Sequence, residues 1–287
     1  MSDGRATASD FLGRMARSSS LRVGEARRRE SDTALRRRAA DAPRGSELRL
    51  SARGFDVIAE IKRRAPSAGS LAAGDALAGV AARAAAYAQA GAAAISVLTE
   101  PDEFDGSLED LGRAVRATHV PVMRKDFLVD PYQVFEARAA GAAGVLLILR
   151  LLDEARLDEM LDAAREARQF VLLEAFAAAD LARALAARER AAAGAVTALV
   201  GVNARDLVSL DVDRECFLRL RAHAPRELPI VAESGVGSAD DARQVAALGY
   251  RAVLVGSALM RAADPERLLA QMIRAGREEV SRSCASG

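Results

Sequence analysis

Histidine is almost missing from this chain of 287 residues: His119 and His223 are the whole complement. A Ser-His-Asp triad or a multi-histidine metal site needs imidazoles that the sequence does not cluster. Chemistry must therefore come from carboxylates, lysines, amides and backbone. Cysteine is as scarce. Cys216 and Cys284 lie far apart, in no spacing that suggests a metal site or a redox pair, which suits a reducing compartment. No apolar run approaches the ~18 residues of a membrane span, and the polar start MSDGRATASD has no signal-peptide core. A cytoplasmic chain with no membrane partner is expected. Net charge is lacking too: 41 basic residues balance 40 acidic ones, so no global field favours nucleic acid or an anionic surface.

What is present is a soluble, core-forming composition, 51% hydrophobic and 28% charged, with enough chain for one large domain or two small ones. The first 50 or so residues differ from the rest. They carry a serine run at 18–20 and a Pro-Arg-Gly break at 43–45, and between Leu21 and Arg53 ten arginines face five acids. An RNA-binding arm is one reading. The other is a pair of amphipathic helices packed on the main domain, and the interleaved acids and the lack of aromatic residues between Leu21 and Arg53 for base stacking favour it. The expected division is a helical extension at 1–50, a catalytic domain at 51–278 and a tail at 279–287.

From Phe55 onward, short apolar runs alternate with alanine-rich helical stretches. The runs begin at 57, 94, 121, 144, 170, 198, 229 and 252, and each interval leaves room for one crossover helix. That is the pattern of repeated βα units and a parallel sheet. Eight units after the extension predict an α/β (β/α)8 TIM barrel, which typically takes ~250 residues. An open doubly wound sheet is the alternative.

The polar residues collect at one end of these strands. Glu60 and Lys62 end the first, Lys125 the third, Glu174 the fifth, Asn203 the sixth, and Glu233 with Ser234 the seventh. Glu60 and Lys62 are two apart and so share a strand face. Each could belong to a self-neutralising ion pair, but buried charge is costly, and a barrel built for stability alone would fill these layers with aliphatic residues. Catalytic groups of such barrels sit at the carboxyl ends. Two further segments, ESGVGS at 233–238 and VGSALM at 255–260, put glycine and serine between a strand and a helix start. Gly235, Gly256 and Ser257, with Ser67 in the first loop, are the candidate phosphate-binding residues.

The segments AEIKRRAPSAG, VPVMRKDFLVDPYQVFEARAAGA, GVNARDL, VAESGV and LVGSALMR occur in an order that resembles the indole-3-glycerol-phosphate synthases. The resemblance implies a (β/α)8 barrel with an N-terminal extension, needing neither cofactor nor metal. It implies closure of the indole ring of 1-(2-carboxyphenylamino)-1-deoxyribulose 5-phosphate in tryptophan biosynthesis, with other enzymes of that pathway as candidate partners. Carried over by position, Lys125 becomes the general acid at the ketone and Glu174 the base or acid of dehydration. Lys62 becomes the cation near the substrate carboxylate, and Glu60 and Asn203 the orienting groups. Glu233, Ser234 and Arg205 become substrate-binding residues. Ala175 and Phe176 depart from the family pattern beside Glu174, and 187–198 looks like an extended fifth crossover. A sugar isomerase of the phosphoribosylanthranilate isomerase kind would want a cysteine and an aspartate at strand ends, and a silent scaffold should have lost some of Lys62, Lys125 and Glu174.

Overall fold

Eight short parallel strands close on themselves in the computed structural model, which describes residues 8–51, 54–65, 69–70, 76–206 and 211–285. They are β1 (Asp56–Ile61), β2 (Ala94–Leu98), β3 (Val122–Lys125), β4 (Gly144–Ile148), β5 (Phe170–Ala175), β6 (Ala198–Asn203), β7 (Ile230–Glu233) and β8 (Ala252–Val255). Each pairs with its sequence neighbour and β1 pairs with β8, so the sheet is a barrel and not an open doubly wound sheet. β3 and β7 begin one residue later than the apolar runs, just past Pro121 and Pro229. Proline has no N–H to give a ladder.

Two helices, α1 (Ala8–Arg29) and α2 (Asp32–Asp41), precede the barrel. The crossovers contain α3 (Ala76–Gln89), α4 (Pro101–Phe104), α5 (Leu108–Ala117), α6 (Pro131–Ala139), α7 (Glu154–Ala167), α8 (Ala178–Ala193), α9 (Glu215–Arg221) and α10 (Ala239–Ala247). The short α11 (Ser257–Arg261) and the long α12 (Pro265–Ala285) finish the chain. Helix α12 runs on past 278 and buries Val280, so the segment expected as a tail is mostly helix. Sequence signals set several helix starts: Ser107, Asp153 and Ser238 each accept from a first-turn N–H, and Asp130 with Gln133 forms a capping box before Pro131. The stretch 187–198, expected as an extended fifth crossover, completes α8, buries Ala187 and Ala191, and leads into β6.

Strand alternation divides the core into two layers. Ile58, Met123, Leu146, Leu172, Leu199, Val231 and Leu254 pack together inside the barrel. Their neighbours Val57, Val122, Leu147, Leu173, Val200, Ala232 and Val253 pack outward against the helices. Burying both faces explains why the strands are almost uniformly apolar.

The arginine-rich extension is docked along the barrel. Arg22 of α1 makes a two-pronged ion pair with Asp126 at 2.9 and 3.0 Å. Arg27 reaches Asp130 at 2.8 Å, and Arg36 pairs with Glu166 while its guanidinium lies 4.1 Å from the Phe135 ring centre. In the serine run, Ser18 donates to Asp102 and buried Ser19 accepts from Gln133. Arg138 of α6 donates to the carbonyls of Ala42 and Pro43, holding the linker as it turns towards β1. These contacts match the packed-helix reading of the extension.

Candidate functional site

Inward positions nearest the carboxyl ends of the strands carry the polar residues singled out above. The strand register sets Lys125 beside Leu98, Glu174 beside Ile148, and Asn203 beside Glu233. Glu60, Lys62, Lys125, Glu174, Asn203, Arg205, Glu233, Ser234, Gly235, Gly256 and Ser257 all line one pocket of about 380 Å³. Ser67 lies outside the described residues.

Within the pocket, Lys62 Nζ is 2.8 Å from Glu60 Oε1, the ion pair that their shared face allows. Lys125 Nζ stands 3.8 Å from Glu174 Oε2, and Asn203 Nδ2 donates to the other Glu174 oxygen. Asn203 Oδ1 in turn accepts the Arg205 N–H at 2.9 Å, which fixes the amide orientation. Glu174 is therefore held from its own strand face. Ala175 points outward into the barrel–helix layer, and Phe176 packs under the Arg150 guanidinium, 4.9 Å from its ring centre. The departures from the family pattern at 175 and 176 leave the Asn203 support of Glu174 in place.

Burial acts against each of these charges, and the neighbours decide the outcome. Burial disfavours the Lys125 ammonium, but Glu174, Glu60 and Glu233 outweigh it and raise its pKa above that of ordinary lysine. Burial likewise opposes Glu60 ionisation, yet Lys62 and Lys125 hold its carboxyl below the usual range. Glu233 is the exception. Burial, reinforced by the Glu174 charge, pushes it well above the usual carboxyl range, and neither of its oxygens has a hydrogen-bond partner among the described residues. The site thus combines a firmly protonated amine with one carboxyl that favours its proton.

Two glycines make room for these carboxylates. A Cβ at Gly256 would lie 2.1 Å from Glu60 Oε1, and one at Gly201 would lie 2.0 Å from Glu233 Oε1. Gly201 in the middle of β6 passes without notice in the sequence, because only the register shows what faces it. At the other end of the pocket, Ser234 and Gly235 are consecutive left-handed residues (φ 64° and 74°). Gly256, Ser257 and Arg261 approach from α11. The Gly237 N–H is already donated to Asp241 at 2.9 Å, and Ser238 caps α10, so Gly235, Gly256 and Ser257 form the glycine-rich end of the pocket.

An apolar wall closes the opposite side. Phe11 of α1 stacks edge-on to Phe127 with ring centres 5.9 Å apart, and Phe104 lies 6.2 Å from the same ring. All three line the pocket with Leu98 and Ile148. Sequence reasoning missed these rings, since nothing local says that residues 11, 104 and 127 meet. Asp126 ties the wall together. It accepts from Arg22, Thr99, Arg124 and the Phe127 N–H, and although burial opposes its charge, Arg124 and Arg22 hold its carboxyl far below the usual range.

A family model described as indole-3-glycerol phosphate synthase matches residues 13–272. The chain belongs to the indole-3-glycerol phosphate synthase family. It is accordingly a carboxy-lyase of tryptophan biosynthesis. An indole-3-glycerol phosphate synthase from Parafrankia sp. (strain EAN1pec) is 46% identical over 240 residues, covering 84% of this chain and 85% of its own. Another, from Mycobacterium leprae (strain Br4923), is 44% identical over 238 residues, 83% and 84% of the two chains. A third, from Lacticaseibacillus casei, is 37% identical over 254 residues, 87% and 94%. Among solved structures, 3-hexulose-6-phosphate synthase from Salmonella typhimurium superposes with a TM-score of 0.60 at 17% identity, over 78% of this chain and 100% of that one. That likeness concerns the barrel alone.

Proposed function

We propose that the pocket closes the indole ring of 1-(2-carboxyphenylamino)-1-deoxyribulose 5-phosphate, with Lys125 as the general acid. One observation carries this reading: the Lys125 ammonium stands beside Glu174 and is kept protonated chiefly by Glu174 and Glu60, in a pocket lined by an aromatic wall and a glycine-rich end. The substrate has three matching parts. Its phosphate lies against Gly235, Gly256 and Ser257. Its aromatic ring lies under Phe11, Phe104 and Phe127, and its carboxylate faces Lys62, with Arg205 and Ser234 on the rim.

In the first step the ring carbon that bears the carboxylate attacks the ketone carbon, and the ketone oxygen takes a proton from Lys125. A lysine close to that oxygen supplies both proton and field as negative charge develops. Carbon dioxide then leaves, and the electron pair of the broken bond restores the aromatic ring. Loss of the new hydroxyl as water, with a proton removed from the adjacent carbon, completes the pyrrole. Glu174, 3.8 Å from Lys125, exchanges protons in this dehydration, and Glu60, Asn203 and Glu233 orient the groups around it. No cofactor or metal is required by these steps.

Adding the anilino-deoxyribulose phosphate and following the fluorescence of indoleglycerol phosphate, without added metal, tests the reading. Absence of product across the pH range would overturn it. The isomerase alternative has little support, because Cys216 sits on α9 away from the pocket, its thiol pushed up to about 11 by burial. The same reading makes the cytoplasm the compartment and other enzymes of tryptophan biosynthesis the candidate partners, without nucleic acid or membrane. Among the described residues no helix is long and apolar enough to cross a membrane.

A further inference from the structure

The face of the barrel opposite the mouth holds a second pocket, of about 430 Å³, between the linker at 44–48 and the starts of β4, β5 and β6. In barrels this face ordinarily serves stability, yet here it is cationic. Arg44, Arg138, Arg165 and Arg168 line it against one acid, Glu47, which is itself paired with Arg49 at 2.9 Å. Arg138 is engaged with the linker carbonyls and Arg165 with Asp162. Arg44 and Arg168 have no acidic partner among the described residues.

An independent feature points to a ligand. Gln169, at the floor of this pocket, is 3% exposed. Its Nε2 donates to the Ala142 carbonyl at 3.0 Å, but its Oε1 is buried with no hydrogen-bond partner. A buried acceptor left without a donor is unfavourable, so the floor calls for an N–H beneath the arginines. Helices α7 and α8 end at this face, turning their carbonyl ends towards it; such ends oppose any anion, a dianion about twice as strongly as a carboxylate, so the arginines must outweigh them. Guanidinium forks suit a planar carboxylate, and Leu48, Phe170 and Val196 supply apolar wall.

We infer that this pocket binds a small carboxylate bearing an N–H donor, the carboxylate on Arg44 and Arg168 and the N–H on Gln169 Oε1. The inference stands apart from the ring-closing chemistry at the mouth.

Calorimetric titration of the full chain with hippurate, which joins a carboxylate, an amide N–H and an aromatic ring, tests it. Saturable one-to-one binding is expected, weakening as salt screens the arginines. The double variant Arg44→Gln with Arg168→Gly should weaken it about a hundredfold, roughly tenfold for each of two lost charge-assisted hydrogen bonds. Arg168 has φ 53°, a conformation that glycine adopts freely, so that variant keeps its fold. Gln169→Met should weaken binding about tenfold, and if it melts early the arginine pair carries the test. Hydrocinnamate, which lacks the N–H, should bind about tenfold more weakly than hippurate, while Lys62→Ala at the mouth should change nothing. Three results would overturn the inference: no saturable binding, binding that follows Lys62→Ala instead of the arginines, or inorganic phosphate binding as tightly as hippurate. The first would leave Arg165 and Arg168 as simple complements to the negative end of α7.

Discussion

Gly256→Ala isolates a steric demand that the site places on one backbone position. The new Cβ would stand 2.1 Å from Glu60 Oε1 and 2.8 Å from Glu60 Cδ. Ordinary contact begins near 3.4 Å, so the carboxylate must retreat by about 1.3 Å. It has little room, being buried and paired with Lys62 at 2.8 Å. Overpacking of this kind destabilises by about 1–3 kcal/mol, a fall in Tm of roughly 2–12 °C for a chain of this size. A misplacement of ~1 Å in the active constellation lowers turnover by ~10²-fold. Steady-state kinetics by product fluorescence, with a thermal melt, would read both effects. The decisive comparison is the same substitution in a Glu60→Ala background. There the methyl has no carboxylate to displace and meets only the retained Cβ of residue 60 at 3.1 Å, so its further effect on kcat should be far smaller than in the native background, a strong coupling between neighbouring sites. If Gly256→Ala were as damaging without Glu60 as with it, the steric argument would be wrong and the backbone at 256 would act on the phosphate instead.

Lys125→Met keeps the apolar stem and removes the acid, so kcat should fall by ~10²- to 10⁴-fold while the fold is kept, with a lower melt because Glu60 and Glu174 lose their cation; undiminished turnover would remove Lys125 from the chemistry. Ser257→Asp puts a negative charge where the phosphate should rest, and KM should rise steeply while Tm barely moves; a normal KM would place the phosphate elsewhere. Phe11→Ala, or deletion of residues 1 to 50, should raise KM more than it lowers stability, since α1 supplies part of the aromatic wall, and unchanged kinetics would show that the extension does not cover the substrate. Glu233 has its folded pKa raised by burial and by Glu174, so its contribution to stability is fully present below the unfolded carboxyl value and is lost as pH rises through the folded one. Melts against pH should therefore show the native chain losing stability relative to Glu233→Gln on that rise, and a difference flat with pH would contradict the assignment.

Much of this protein follows from local pattern. Eight apolar runs at crossover spacing admit few arrangements other than a parallel barrel, and the period of two along β1 is enough to put Glu60 and Lys62 on one face. Once carboxyl-end residues are known to form the mouth, Lys125, Glu174, Asn203 and Glu233 fall into place from their positions in the strands alone. The conflict at the extension was also half visible, because interleaved acids argue against a nucleic-acid arm, although its true partners, Asp126, Asp130, Glu166 and Gln133, lie about a hundred or more residues away.

Only the tertiary structure decided the rest. The aromatic wall joins residues 11, 104 and 127, and the space left by Gly201 and Gly256 depends on which side chains face them across neighbouring strands. The proton preference of Glu233 depends on burial beside Glu174, and the cationic pocket at the far face depends on the path of the linker. Secondary structure and strand facing are set by short-range sterics and a repeat of two residues, which a sequence displays. Steric fit, desolvation and charge coupling act through space between distant segments, and they take their values only when the barrel closes and the extension lies against it.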